Sequence, residues 1–215
     1  MVHELSRQNS ALSAFVAELR DEQIQQDRMR FRRNLERIGF CLALEMSKQF
    51  PFTEKSITTP LGEADAHVFS EQPVAATILR AGLPMHQGVL DVFDHADNAF
   101  VSAYRKYQDD GEFNIEIEYL SSPSLQDRIL VICDPMIATG SSVELAFRAL
   151  LRKGMPKQIH VLSAIASQPG LNYLKQHLPE NTQYWVADID AELTARSYIV
   201  PGLGDAGDLA FGTKV

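Results

Sequence analysis

Residues 129–154, ILVICDPMIATGSSVELAFRALLRKG, decide the fold of this 215-residue chain. The five apolar residues Ile129–Cys133 are typical of a strand that is buried on both faces of a parallel sheet. Apolar residues then recur at helical spacing from Val143, and Lys153-Gly154, a basic last turn before a capping glycine, predicts the end of the helix. The stretch therefore predicts a strand, a loop and a helix, the unit from which α/β proteins are built.

The loop between this strand and helix has the composition of an anion site. Asp134 follows the strand directly, and Thr139-Gly140-Ser141-Ser142 precedes the helix. Open α/β sheets bind ligands at the carboxyl ends of their strands, and unpaired NH groups at a helix N-terminus attract phosphate. An acid at the head of such a loop suits a phosphoribosyl group, which carries a phosphate and sugar hydroxyls. An ordinary strand-to-helix turn, capped by Ser142, is the alternative.

The rest of the chain extends the same pattern. Strands and helices alternate from Val74 onward, which predicts a mainly parallel twisted sheet flanked by helices. Helices are predicted for Ala11–Arg20 and for residues 21–49, and Asp110-Gly111 predicts a hairpin that protrudes as an arm. At this length we expect one domain, residues 1–215, with a helical segment at about 10–50 and a core at about 55–215.

Two more strands are predicted to end at an arginine. Val74–Leu79 is followed by Arg80, and residues 99–104 are followed by Arg105. A guanidinium presents a planar fork of donors that matches a pair of phosphate oxygens. Two such groups at the same sheet edge are candidates to face one anionic ligand. The alternative for any strand-end arginine is a side chain that reaches past the core to solvent.

Composition excludes several classes of function. The chain has 20 Lys and Arg against 28 Asp and Glu, so its net charge of -8 argues against a broad nucleic-acid surface. Its two cysteines form no disulfide framework, and no apolar run approaches the roughly 18 residues of a membrane span. The first residues lack the features of a signal peptide, and the six histidines have no metal-ligand spacing. We therefore expect a cytoplasmic protein with no direct metal site and no membrane partner.

The carboxyl-terminal residues 197–212, SYIVPGLGDAGDLAFG, form the second informative stretch. They contain four glycines and two aspartates, and they look too irregular for a strand or a helix. Glycine lets the main chain approach a ligand closely, and backbone NH and C=O groups can recognise the edge of a flat base such as uracil. An ordered surface turn is the alternative reading of this composition.

Several motifs resemble those of a known family. VICDPMIATGSS (131–142) resembles the loop of type I phosphoribosyltransferases that binds 5-phosphoribosyl 1-diphosphate (PRPP). ILRAGLPMHQGVL (78–90), Tyr104-Arg105 and YIVPGLGDAGD (198–208) resemble segments of uracil phosphoribosyltransferases. The resemblance runs from about Phe31 to Gly212 and is weakest over residues 106–125. Pro84, Ser141 and Leu209 depart from the family's pattern.

The resemblance implies a reaction and a set of site residues. The reaction is transfer of the phosphoribosyl group from PRPP to uracil, which gives UMP and pyrophosphate in pyrimidine salvage. The implied catalytic residues are Arg80, Arg105, Asp134 and Asp205. The implied PRPP-binding residues are Arg80, Arg105, Asp134, Pro135, Met136, Ile137, Ala138, Thr139, Gly140, Ser141, Ser142 and Asp205, and the uracil-binding residues are Ile199, Gly204, Asp205 and Ala206. Mg²⁺ is expected to be held mainly through PRPP.

The resemblance also implies partners, and two alternatives stay open. Members of the family commonly self-associate, so a homodimer or homotetramer is expected, with GTP as a candidate activator. One alternative is a phosphoribosyltransferase-like, RNA-binding regulator of pyrimidine genes, which the net charge disfavours. The other is a phosphoribosyltransferase for a different base, such as a purine. A second acid beside Asp134 would favour this alternative, but Cys133 occupies that position.

Overall fold

The computed structural model describes residues 1–107 and 113–213, and it describes their side chains except over 103–107 and 113–117. In chain order the strands are β1 (Val2–Glu4), β2 (Phe52–Thr59), β3 (Gly62–Phe69), β4 (Val74–Leu79), β5 (Asp97–Tyr107), β6 (Phe113–Ser121), β7 (Ile129–Cys133), β8 (Met136–Ile137), β9 (Gln158–Ser167), β10 (Gln183–Asp190), β11 (Glu192–Leu193) and β12 (Ile199–Val200). The helices are α1 (Ala11–Arg20), α2 (Arg28–Ser47), α3 (Leu83–Leu90), α4 (Ser141–Leu150), α5 (Gln168–His177) and α6 (Ala206–Phe211). Single 3₁₀ turns lie at Ile24–Gln26 and Leu151–Lys153.

The central sheet is mainly parallel, as predicted. Its strand order is β1-β10-β9-β7-β4-β5-β6, with β8 paired to β9 off this path. Only β6 runs antiparallel, along β5. The chain passes outward from β4 to β5 and β6 and then returns to β7 on the other side of β4. Strand order reverses between β4 and β7, which is where open α/β sheets form a ligand crevice.

Both faces of the sheet are covered, and β7 shows this residue by residue. Ile129, Val131 and Cys133 belong to the core that contains α1, α2 and α3. Leu130 and Ile132 belong to a second core that contains α4 and α5. Because successive side chains of a strand point to opposite faces, an unbroken apolar run is required for a strand covered on both sides.

The predicted helix over residues 21–49 is wrong at its start. A 3₁₀ turn occupies Ile24–Gln26, and α2 begins only after Asp27. The Asp27 carboxylate accepts hydrogen bonds from the backbone NH of Met29 at 3.0 Å and of Arg30 at 3.1 Å. Aspartate stabilises a helix more as its N-cap than from a position inside it. Asp27 therefore begins α2 and separates it from the 3₁₀ turn.

Both ends of the chain hold short elements that local patterns did not reveal. β1 joins the sheet edge by pairing in parallel with Tyr184–Val186 of β10. At the other end the stretch that looked irregular contains the short strand β12 and the six-residue helix α6. Segments of this length carry too little periodicity to be recognised, because tertiary packing rather than local preference stabilises them.

Three antiparallel strand pairs lie outside the parallel part of the sheet: β2 with β3, β5 with β6, and β11 with β12. β2 and β3 pair from Phe52 opposite Phe69 to Thr59 opposite Gly62, where a tight turn joins them. β5 was predicted to end at Tyr104, but it continues to Tyr107 because β6 pairs with it beyond the last partner in β4. The predicted Asp110-Gly111 turn lies outside the described residues. Among the described residues, no helix has the length and hydropathy to cross a membrane.

His160 makes the stability of the folded chain depend on pH. It is 2% exposed in β9, and its Nδ1 accepts a hydrogen bond from Trp185 Nε1 at 3.1 Å. Burial lowers the pKa of His160 to about 4, with a smaller contribution from His3. Below pH 6.5 the unfolded chain therefore binds more protons than the folded one, and stability is lost as the pH falls towards 4.

We expect this group alone to remove about 3 kcal/mol from the free energy of unfolding between pH 7 and pH 4. Urea unfolding of the wild-type protein and of His160→Gln at both pH values measures it. The difference in free energy of unfolding between the two proteins should shrink or reverse at the lower pH. Parallel pH profiles would contradict the assignment.

Candidate active site

Strands β4 and β7 end side by side at the reversal of strand order. They pair from Val74 opposite Leu130 to Thr77 opposite Cys133, and Asp134 follows at once. Gly82 lets the chain after β4 lie against both strand ends. A methyl group there would lie 2.2 Å from Thr77 Oγ1 and 2.9 Å from the carbonyl oxygen of Cys133. The turn after β4 is thus packed directly beside the loop after β7.

A cleft with a volume of about 610 Å³ opens at this edge of the sheet. Three segments line it: the turn after β4, the loop after β7 and the carboxyl-terminal loop. The predicted site residues that line it are Asp134, Pro135, Met136, Ile137, Ala138, Thr139, Gly140, Ser142, Gly204, Asp205 and Ala206. The structure therefore brings the predicted phosphate loop and the predicted base loop together, although they are separated by some 60 residues of sequence.

The phosphate loop ends at an open helix N-terminus. Gly140 precedes α4 with φ of +84° and has no side chain to cap the helix, although the Ser141 NH donates a long hydrogen bond to Thr139 Oγ1 at 3.4 Å. Thr139 Oγ1 lies 2.7 Å from Ser141 Oγ, so these two hydroxyls are bonded to each other. The helix begins at Ser141 rather than at Val143, two residues earlier than predicted. Uncapped NH groups at the start of a helix are donors for an anion.

Asp134 is the buried acid of the cleft. It is 9% exposed, and its Oδ1 accepts a hydrogen bond from the backbone NH of Met136 at 3.4 Å. Burial raises the pKa of Asp134 to about 7, and the Met136 NH opposes that rise. Near neutral pH the carboxyl group is thus divided between a protonated and an ionised form. The ionised form accepts hydrogen bonds only, which suits sugar hydroxyls.

The base loop is shaped by glycine and by one aspartate. Gly202 and Gly204 have φ of +60° and +95°, a region that L side chains rarely adopt. Asp205 caps α6, because its Oδ1 accepts a hydrogen bond from the backbone NH of Asp208 at 2.9 Å. Gly204 and Asp205 are exposed to the cleft, whereas Gly202 is buried beneath them. The exposed turn therefore presents main chain to a ligand.

Four predicted site residues are not seen at the cleft: three do not line it, and the side chain of the fourth is not described. Arg80 points towards α6: its Nη2 donates to the carbonyl oxygen of Gly212 at 2.9 Å and lies 3.5 Å from Asp208 Oδ1. Ile199 is buried in β12, and Ser141 is engaged with Thr139. The side chain of Arg105 lies outside the described residues. The predicted contacts of these four with substrate stay predictions.

The sequence reasoning missed one wall of the cleft. Arg196, Ser197 and Tyr198 line it immediately before the recognised YIVPG segment. Arg196 and Tyr198 are exposed, and Ser197 has φ of +63°. A lone arginine in a loop carries no signal of its own, but its position next to a ligand-binding motif could have suggested it. It supplies a cation beside the phosphate loop.

A larger cavity of about 790 Å³ lies on the other side of the base loop. It shares Gly204 and Asp205 with the cleft, and the start of α2 forms its other wall. It contacts neither Asp134 nor the phosphate loop. Because it lacks the anion site, we take the smaller cleft as the candidate active site.

The described residues offer no cage for a metal ion. No group of three or more His, Cys, Asp and Glu side chains among them is placed to hold one. Mg²⁺ prefers oxygen ligands, keeps several waters and is commonly bound through one or two carboxylates together with substrate phosphates. The isolated carboxylates of Asp134 and Asp205 at the cleft fit an ion that arrives with a diphosphate.

Comparison with known proteins gives a consistent result. A family model described as uracil phosphoribosyltransferase matches residues 6–213. A protein of that name from Porphyromonas gingivalis is 55% identical over 214 residues, which cover 100% of this chain and 99% of the relative. One from Thermococcus gammatolerans is 36% identical over 203 residues, 93% of this chain and 88% of the relative. The solved structure of the AQ2163 protein from Aquifex aeolicus covers all of both chains at 31% identity with a TM-score of 0.86.

Proposed function

The chain belongs to the uracil phosphoribosyltransferase family, and from this membership we infer the reaction at the cleft. The enzyme transfers the 5-phosphoribosyl group from PRPP to uracil and releases UMP and pyrophosphate, as a pentosyltransferase of pyrimidine salvage. The observation that carries this is one cleft in which the phosphate loop faces the glycine-rich base loop. Neither the family nor the relatives' names support an RNA-binding regulator or a transferase for purines.

The sugar and its 5′-phosphate are held by the loop between β7 and α4. We assign the 5′-phosphate to the NH groups and hydroxyls of residues 139–142, because the helix N-terminus there has no side-chain cap. Asp134 in its ionised form accepts hydrogen bonds from the ribose hydroxyls. Two fixed points on the sugar orient the anomeric carbon, and such positioning accounts for a large part of the acceleration in two-substrate reactions.

The departing pyrophosphate gains negative charge as the anomeric C–O bond breaks. Arg80 and Arg105 are the groups that we assign to this charge, because Arg80 follows β4 at the edge of the cleft and Arg105 lies on the neighbouring strand β5. Only the Arg80 Nη2 donates to Gly212, so other donors of its guanidinium remain for a ligand. Arg196 at the cleft wall is a third cation within the same site.

Uracil is read by main chain rather than by side chains. Gly204 and Ala206 lie at the cleft, and no hydrogen bond to another described residue occupies the Gly204 backbone. Backbone groups that pair with the carbonyls and NH of uracil would be left unpaired by the amino group of cytosine, which rejects that base. We assign Asp205 to the boundary between uracil and PRPP, either as acceptor of the N1 proton or as an orienting group.

Mg²⁺ is the proposed cofactor, held mainly through PRPP with Asp134 or Asp205 as nearby oxygen donors. When bound, it supplies positive charge that favours departure of the diphosphate. We further propose a single domain over residues 1–215, since one core cluster joins α1 and α2 to the sheet. Homo-oligomerisation, activation by GTP and a cytoplasmic location complete the proposal.

The test is a comparison of bases with the purified protein. PRPP and Mg²⁺ are supplied with uracil, cytosine, hypoxanthine or guanine, and pyrophosphate and nucleotide are measured. We expect turnover with uracil and a kcat/KM for cytosine lower by at least about 100-fold, because a hydrogen-bonding site discriminates strongly against a mismatched edge. Turnover with a purine base, or RNA retained on a filter through a salt series without turnover, would overturn the proposal in favour of its two alternatives.

A further inference from the structure

The base loop is fixed at one glycine by a partly buried ion pair behind it. Arg20, the last residue of α1, donates from Nη1 to Asp190 Oδ2 at 2.8 Å and from Nη2 to Asp190 Oδ1 at 2.9 Å. The same Nη1 donates to the carbonyl oxygen of Gly202 at 3.0 Å. Asp190 Oδ2 in turn accepts a hydrogen bond from the Gly202 NH at 3.0 Å. One Arg–Asp pair thus satisfies both peptide groups of Gly202.

The pair is itself held rigidly. Asp190 is 7% exposed, and Arg20 Nη2 also donates to Asp188 Oδ2 at 2.8 Å. Ser6 Oγ donates to the other oxygen of Asp188 at 2.9 Å. A guanidinium bonded to two carboxylates and a carbonyl loses little further freedom when a ligand binds, because its planar fork is already oriented.

Neighbouring contacts show which part of the loop is fixed. With its nitrogen towards the two carbonyls, the Gln25 amide donates to Leu203 O at 2.7 Å and to Leu19 O at 3.2 Å. On the far side, Arg32 Nη1 donates to Ala210 O at 2.7 Å. Between these anchors lie residues 204–206, the proposed uracil contacts, and the Gly204 backbone has no hydrogen bond to another described residue.

Gly202 also cannot be replaced by a larger residue without strain and a clash. Its φ of +60° belongs to the left-handed region, and a methyl group on it would lie 2.2 Å from the carbonyl oxygen of Ile199. The direction in which the chain leaves Gly202 decides where the peptide groups of Gly204 point. That direction is set by the Arg20–Asp190 pair, since it bonds both sides of the turn.

We propose that Arg20 and Asp190 are positioning residues for recognition of the pyrimidine, a role that rests on the proposed function of the cleft. Neither residue lines the cleft. They hold Gly202 so that the unpaired backbone of Gly204 is ready for uracil before uracil arrives. A loop organised in advance loses less conformational entropy on binding, and this benefit appears in the affinity for the base rather than in the chemical step.

The experiment compares Arg20→Met and Arg20→Lys with a matched control, Arg30→Met. Arg30 also pairs with a carboxylate through two donors, Nε at 2.8 Å and Nη2 at 2.5 Å from the oxygens of Glu18, but among the described residues it has no hydrogen bond to residues 199–212. Steady-state kinetics give KM for uracil, KM for PRPP and kcat. Hydrogen exchange of peptides spanning 199–206 reports the loop, and urea unfolding reports the fold.

For Arg20→Met we expect KM for uracil to rise at least about tenfold, with kcat and KM for PRPP within about threefold of wild type. Arg20→Lys keeps the charge but not the fork, so it should rescue the effect only in part. Exchange of the 199–206 amides should accelerate in both variants and stay unchanged in Arg30→Met. If Arg20→Met does not fold, Asp190→Asn, which keeps the shape and removes the charge, takes its place with the same expected pattern.

A KM for uracil within twofold of wild type, or a rise in KM for PRPP as large as the rise in KM for uracil, would overturn the inference. Its failure is separable from failure of the proposed function. If the wild-type protein does not use uracil, the function fails, and accelerated exchange at 199–206 in Arg20→Met still reports whether the pair positions the loop.

Discussion

Replacing Asp134 with asparagine should lower kcat/KM for PRPP at pH 8 by about 100-fold while making the folded chain more stable. The ionised carboxylate is the proposed acceptor for the ribose hydroxyls. Hydrogen bonds to a charged group contribute about 1.5–3 kcal/mol, and the upper end of that range corresponds to about 100-fold in rate. The loss should appear in kcat/KM for PRPP, which reports the free enzyme.

The gain in stability follows from the same buried group. Burial raises the pKa of Asp134 from 3.8 to about 7, so the folded state favours the protonated form more than the unfolded state does. Its contribution to stability is present below pH 4 and is lost as the pH rises through 7. At pH 8 the ionised carboxylate therefore costs up to about 4 kcal/mol, which asparagine avoids.

Urea unfolding at pH 5 and pH 8 and a pH profile of kcat/KM measure both effects. In the wild-type protein kcat/KM for PRPP should rise with pH up to about 7 and then level off, because only the ionised Asp134 is productive. Asp65→Asn is the matched control, since Asp65 is exposed in the β2–β3 hairpin away from the cleft. An Asp134→Asn protein that is less stable than wild type at pH 8 would refute this account of the buried carboxyl group.

Alanine at Gly140 should strongly weaken productive binding of PRPP. Gly140 has φ of +84°, and a methyl group there would lie 2.9 Å from the carbonyl oxygen of Gly170 and 2.9 Å from Leu174 Cγ. Both neighbours belong to α5, so the phosphate loop must move instead. A displacement of about 1 Å at a site that positions a substrate can lower the rate by about 100-fold.

Gly62→Ala provides the control for the same chemical change. Gly62 lies at the β2–β3 turn with φ of +157°, and nothing lies within 4 Å of a methyl group built on it, so alanine there strains the backbone without a clash. We expect kcat/KM for PRPP to fall about 100-fold in Gly140→Ala and to be unchanged in Gly62→Ala. Thermal unfolding should show a lower Tm for Gly140→Ala, because strain and overpacking each cost about 1–3 kcal/mol. A KM for PRPP close to the wild-type value in Gly140→Ala would rule out the anion site at α4.

Sequence predicted the parts of this fold that depend on local pattern. The unbroken apolar run at β7 required a strand covered on both faces, and the loop after it carried both hydroxyl and glycine signals. The place of each strand in the sheet could not be predicted from residues alone, because pairing joins distant segments. The edge strand β1 is only three residues long, which leaves no periodicity to detect.

The site was predictable in its motifs and not in its side-chain directions. Asp134, Gly140 and Gly204 reach one cleft as the motifs implied. Arg80 follows β4 as expected, yet its guanidinium packs against α6, because Gly212 and Asp208 offer partners that no local pattern reveals. The Arg20–Asp190 pair was missed for the same reason, since 170 positions of sequence separate its members.

The contacts that hold the base loop join the two ends of the chain. Arg20 reaches Gly202 across 182 positions, and Arg32 reaches Ala210 across 178. During synthesis on the ribosome, the strand and helix that flank the phosphate loop, Ile129–Cys133 and Ser141–Leu150, are therefore made before the segment that reads the base. We expect a variant truncated after Val200 to lose the contacts to Gly202 and Ala210, and with them the recognition of uracil.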